Sequence, residues 1–194
     1  HSVRSTYTGL GLCFPRSGHV QEDMKAGLKF FVGPGAEGCN VICKSDAAKS
    51  LTGAIDELAW TPEPSLENRW PHNTRHERWH GTYKSVLRAA MLQSGLPMRA
   101  WDLCVLYASV MLAIIQKAPI YDWERDADGN VLPEHAGKVG LTCWEAHHRG
   151  EPFAGPIQPF GRLCYYLDRD HPAMANTQPG IFLGWRIESG VRYR

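Results

Sequence analysis

The sequence predicts a layered α/β domain. Short stretches of strand type alternate with stretches of helical spacing along the first two thirds of the chain. Of its 194 residues, 43% are hydrophobic, with 7 Trp, 7 Tyr and 6 Phe, enough large apolar groups to bury a core and to exclude a globally disordered chain. Glycine and proline are frequent, at 19 and 13 residues, which predicts many turns between the elements. The 21 Lys and Arg nearly balance the 20 Asp and Glu, and a net charge of +1 excludes a polybasic tail or an acidic disordered segment.

The elements follow in order. Residues 3–14 are rich in Thr, Tyr and Leu and stop at Pro15, which reads as a strand or hairpin. Val20, Met24, Leu28 and Phe31 recur at helical spacing, and Gly33, Pro34 and Gly35 end that helix. Residues 39–43 form a short apolar run of strand type, followed at once by Lys44, Ser45 and Asp46. A second helix fits 47–60, and the three prolines within 61–71 read as a loop. A long helix is expected over 74–94, with Trp79, Val86 and Ala90 on one face and Glu77, Lys84 and Arg88 on another. Gly95 and Pro97 break it, and a mostly apolar helix covers 100–117. The strongly apolar stretch 103–115 is shorter than a bilayer crossing, so no membrane partner is expected. An acidic segment, 121–134, turns at Asp128 and Gly129. Two strand candidates follow at 163–167 and 181–187.

The charge map is less even than the total. From Arg69 to Arg99 the bases are Arg69, Arg75, Arg78, Lys84, Arg88 and Arg99, the one acid is Glu77, and the net charge is +5. Such a segment fits a surface facing a polyanion; a charge run by itself more often marks a solvated helix face. Asp46 stands where a strand ends, and α/β sheets place their ligands at such ends. Two carboxylates, Asp46 from a strand end and Glu77 from a helix start, are of the type that holds divalent cations together with water and phosphate oxygens.

The neighbouring residues narrow this. Pro71, Asn73, Glu77 and Arg78, then Thr82, Arg88, Met91-Leu92, Ser94 to Pro97 and Trp101 resemble the core of retrotransposon integrases of the copia-type branch. Ser45-Asp46 resembles that family's strand end. Downstream, Thr142, Trp144-Glu145 and Pro152, then Phe160-Gly161 and Tyr165, then Gly180, Phe182-Leu183-Gly184 and Trp185 resemble the elements that follow its core, in order.

The resemblance implies an RNase H-like three-layer domain with a mixed sheet, plus a small β-rich C-terminal extension. The implied division is a catalytic core over 1–118, an acidic linker over 119–140 and the extension over 141–194. The implied activity is DNA integration, by 3′-end processing and strand transfer, in a retrotransposon Pol polyprotein. Asp46 and Glu77 would be catalytic and would hold Mg²⁺ or Mn²⁺. Lys44, Arg78, His80, Lys84 and Arg88 would contact DNA. The family's first Asp would lie upstream, because no Asp precedes Asp23, so an N-terminally truncated chain is expected. An active form is expected to be a nuclear homo-oligomer. The alternative is a catalytically inactive, nucleic-acid-binding remnant.

The remaining patterns read more plainly. Six scattered cysteines, none in a CxxC pair, fit reduced thiols in an intracellular protein. His72 and His76 have helical spacing but face phosphate more readily than a metal. Glu124, Asp126 and Asp128-Gly129 have calcium-loop spacing, but His135 stands where the last ligand should be a Glu. His147 and His148 read as a surface pair.

Overall fold

The structure, a computed structural model, describes residues 1–15, 18, 20–46, 48–65, 74–119, 125–130, 132, 140–167 and 177–194. Arg69, Pro71, His72, Asn73, Glu124 and His135 lie outside the described residues.

The chain opens as a hairpin. β1 (Ser2–Arg4) pairs antiparallel with β2 (Gly11–Cys13), with Val3 opposite Leu12. α1 (Gln21–Val32) buries Met24, Leu28 and Phe31 of the expected apolar face, but Val20 stands at its N-cap and is exposed; the helix ends at Gly33, whose φ of 100° suits glycine.

A βαβ unit follows. β3 (Ile42–Ser45), α2 (Lys49–Glu57) and β4 (Thr61–Pro64) bring two parallel strands side by side, Ile42 opposite Thr61 and Ser45 opposite Pro64. The first strand thus lies later than the apolar run at 39–43. The start of the expected loop at 61–71 is a strand despite its prolines. The backbone N–H groups of Thr61 and Ser65 donate to Val41 and Ser45, and strand alternation then leaves Pro62 and Pro64 on the outer edge, where no donor is needed.

α3 (Thr74–Ser94) and α4 (Trp101–Ile115) form an antiparallel pair, joined through Gly95 and a single 3₁₀ turn. Trp79, Tyr83, Ala90 and Met91 are buried on the inner face of α3. α4 is the hub of the fold. It packs on β2, α3 and α5 (Cys143–His147) and buries Cys104, Val105, Ala108, Ser109, Val110 and Ala113. Residues Met98–Ile115, with mean hydropathy 1.6, are long and apolar enough to cross a bilayer by length and composition. That corrects the count over 103–115 alone; here these residues supply the core of a packed domain.

The rest of the chain folds onto this core. β5 (Leu163–Leu167) pairs antiparallel with β6 (Thr177–Ile181), and β7 (Ile187–Glu188) with β8 (Arg192–Tyr193). The expected strand at 181–187 is therefore split. Gly184, at φ 126°, breaks it, and Trp185 turns inward to stack on Tyr107 at 5.3 Å. The motif around Trp144 and Glu145 folds as α5. Its start is a capping box, in which the Thr142 hydroxyl accepts from the Glu145 N–H while the Glu145 carboxylate accepts from the Thr142 N–H. His147 and His148 are half-buried rather than surface residues, because α5 turns them inward. The His148 ring stacks 4.0 Å from Trp144 and bridges the carbonyls of Trp144 and Val191.

The described strands make four two-stranded ladders, not the single mixed sheet expected. Antiparallel and parallel pairing both occur, but packing rather than a ladder joins the hairpin to the βαβ unit. Val3 touches two cores at once. The larger gathers Leu10, Leu12, Met91, Tyr107, Val110, Trp144, Phe160 and Trp185. The smaller, under β3 and β4, holds Met24, Leu28, Ala54, Ile55, Leu58 and Trp60. The chain leaves α4 and returns at one point. Lys117 and Thr142 form a β-bridge, the Ala118 N–H donates to Leu141, and the Cys143 N–H donates to Gln116.

Candidate nucleic-acid interface

α3 presents two chemically opposite faces. Its inner face is fastened at the N-terminal end by β1. The Ser2 hydroxyl lies 2.9 Å from His76 Nε2, Arg4 Nη1 donates to the Arg75 carbonyl at 2.9 Å, and the Arg4 guanidinium sits 6.0 Å from the Trp79 ring. Trp79 stacks on Tyr83, and Gly11 of β2 leaves room for it: a methyl group there would fall 2.3 Å from the indole. Except for the Trp79–Tyr83 stack, these contacts join residues more than 65 positions apart, so no local pattern announces them.

The outer face carries Glu77, Arg78, Gly81, Lys84, Ser85 and Arg88, all exposed. Arg78, Lys84 and Arg88 have no ion-pair partner among the described residues. Lys84 and Arg88 share the side of Glu77, as their spacing requires. Gly81 is costly in the middle of such a helix, by about 1 kcal/mol relative to Ala.

The expected site residues do not all behave alike. Glu77 stands in the first turn of α3, and Asp46 directly follows β3, each at the kind of position expected. Both are exposed, and neither is hydrogen-bonded or ion-paired among the described residues. Lys44 departs from the group. It lies opposite Glu63 in the ladder and pairs with it at 3.1 Å, so its charge is offset locally. His80 is half-buried between His76 and Tyr83. Burial, and then Lys84, push its pKa below the ordinary 6.5, so it meets a ligand at neutral pH as an uncharged imidazole. His76 is shifted the same way by burial and then by His80 and Arg4, against a smaller opposing effect of Glu77.

Among the described residues, no group of three or more His, Cys, Asp and Glu side chains comes together to hold a metal ion. Two exposed carboxylates that no neighbour orients are not, by themselves, a Mg²⁺ site. A cleft of about 460 Å³ between the end of α1 and Ser189 includes neither of them.

The fold is similar to that of a chain in a retroviral intasome. The solved structure is the cryo-EM structure of a simian T-cell lymphotropic virus intasome in complex with PP2A regulatory subunit B56 gamma. The likeness covers 96% of this chain, with a TM-score of 0.51 and 16% identity. This chain spans 62% of the length of its counterpart. At that identity the likeness is one of fold. No protein-family model and no curated protein matches the chain. Of the expected architecture, a mixed α/β domain whose fold is like that of an intasome chain stands.

Proposed function

We propose that the chain is a DNA-binding part of an integrase-type polynucleotidyl transferase of copia-type retrotransposon ancestry, built on an RNase H-like core. The observation that carries this reading is the outer face of α3, where Arg78, Lys84 and Arg88 are exposed and unpaired among the described residues. A helix that held these cations only for solubility would gain from interspersed acids four residues away, and Glu77 is its one acid. The fold likeness to an intasome chain and the order of the motifs support the same reading. DNA is the partner, and an active form would work as a homo-oligomer.

Asp46 and Glu77 are the proposed reaction carboxylates. Transfer assisted by two metal ions needs a further ligand that the described residues do not supply, so we expect no joining by this chain alone. That observation also favours the second reading, a catalytically inactive, nucleic-acid-binding remnant. Two measurements separate the possibilities. In the first, replacing Lys84 and Arg88 with Ala should weaken binding to a 30-base-pair duplex and reduce its salt dependence by about 1 unit of slope per lost phosphate contact. Unchanged affinity and slope would reject the DNA interface. The second is a strand-transfer assay with Mg²⁺ or Mn²⁺, run on this chain and on one carrying an additional upstream Asp-bearing strand. Joining by the longer form that is lost on Asp46→Ala identifies the transferase; silence in both forms identifies the remnant. Joining by the chain as given would show that two carboxylates suffice.

A further inference from the structure

We infer that Gly81 is a docking point for the DNA backbone, a dent at the centre of the outer face of α3 into which one phosphate of a duplex settles. The inference rests on the DNA-binding reading above and names the place on that face where contact is closest.

The position of Gly81 carries the argument. It lies at the middle of a continuous 21-residue helix, where glycine is the poorest choice short of proline. Glycines inside packed elements usually make room for a neighbour. Gly11 does so for Trp79, and Gly53 for Gln21. Gly81 makes room for nothing in this chain: a Cβ built there meets no atom within 4 Å. It is exposed, and it lies opposite the buried residues of the helix. No internal contact therefore explains the missing side chain, whereas close approach of an external group to the backbone would.

The neighbours of the dent identify that group. On a helix the residues around position 81 are those three and four away: Glu77 and Arg78 on one side, Lys84 and Ser85 on the other. Two unpaired cations and the carboxylate of Glu77 thus surround the gap, which leaves it net positive. Ser85 does not fill it, because its hydroxyl is folded back to donate to the Gly81 carbonyl at 3.2 Å. Thr82 lies back in the same way on the Arg78 carbonyl, also at 3.2 Å. Arg88 continues the outer line two turns further on. A shallow floor of backbone between an arginine and a lysine suits a phosphate carried on a rigid, convex polymer. Such a polymer needs its neighbours to stay low, whereas a small free anion does not.

The test uses the full chain and two substitutions at one open position. Gly81→Ala and Gly81→Gln should each raise the melting temperature by about 2–4 °C, because both favour the helix and neither meets an obstacle. Binding of a fluorescent 30-base-pair duplex should separate them. We expect Gly81→Ala, which adds one methyl group to the floor, to bind about two- to threefold more weakly than the parent. Gly81→Gln should bind at least fivefold more weakly, with the salt slope reduced by about 1 as one phosphate contact is lost. Inorganic phosphate up to millimolar concentration should not compete, since the dent is shaped for the polymer. If Gly81→Gln binds the duplex as the parent does while Lys84→Ala and Arg88→Ala weaken it, the face binds DNA but the glycine is not its docking point, and the inference is overturned. If none of the three weakens binding, the DNA reading itself fails and takes the inference with it.

Discussion

The two proposed reaction carboxylates are held by very different parts of the molecule. Glu77 begins a helix that is clamped from beneath by Ser2 and Arg4, that seats its own Trp79 and Tyr83 inward, and that packs along α4. Asp46 hangs from the end of a four-residue strand in a two-stranded ladder, supported by the smaller core around Ile55, Leu58 and Trp60. A pair of parallel strands is a weak unit without further strands or thick packing beneath it. The difference teaches that the position of Glu77 is set by the fold of this chain, whereas that of Asp46 depends on whatever else supports its sheet.

The strongest way to break the comparison is to loosen the firm side. Trp79→Ala should destabilise the chain by about 3–5 kcal/mol, as for a large aromatic removed from a packed core, and denaturant unfolding would read it. Gly11→Ala should act through the same indole, costing about 1–3 kcal/mol by overpacking. If both changes were neutral, the clamp beneath Glu77 would be no firmer than the ladder beneath Asp46.

Next comes the thin side. Ile55→Ala should cost about 2–5 kcal/mol if the small core folds with the rest. Hydrogen exchange should show the amides of β3 opening at lower free energy than those of α4 even in the parent chain. Equal protection in the two regions would remove the distinction.

A smaller effect is expected from pH. Burial lowers the pKa of His76 and His80, and of His147 in α5, below the ordinary 6.5. For a base with a lowered folded-state pKa, the unfolded chain takes up protons first as pH falls. The contribution of these histidines is therefore fully present above about pH 6.5 and is lost as pH drops through their folded values. Melting temperatures between pH 8 and pH 5 should fall on the acid side, and His76→Gln should flatten that slope. The smallest effect is electrostatic. With metal chelated, Glu77→Gln removes the one acid of α3 and should tighten duplex binding about twofold, as for a unit charge some distance from a phosphate in water. Asp46→Asn should change binding less, because it lies off that helix.

How far the sequence foretold this structure varies with the range of the interactions concerned. α1 and α3 could be read from the spacing of Met24, Leu28 and Phe31 and of Trp79 and Ala90, because helical burial is a local periodicity. The same holds for the positions of Asp46 after a strand and Glu77 at a helix start. β4 was hidden, since Pro62 and Pro64 argue for a loop unless the bonded edge of the strand is known. Lys44 could not be separated from the other cations, because its pairing with Glu63 depends on a parallel register set through α2. The lowered pKa of His80 depends first on burial, which the charge pattern of the sequence does not show. One local signal states its element outright: Thr142 and Glu145 have the spacing of a capping box and mark the start of α5.

The clasp formed by Lys117 and Thr142 has a consequence for how such a chain can change. Between them the polypeptide makes a closed excursion, and the two feet are tied to each other by backbone hydrogen bonds. Doubling the length between them would cost only about 0.6 kcal/mol in closure entropy. Length added between the feet would thus be tolerated while the clasp holds the end of α4 to the start of α5.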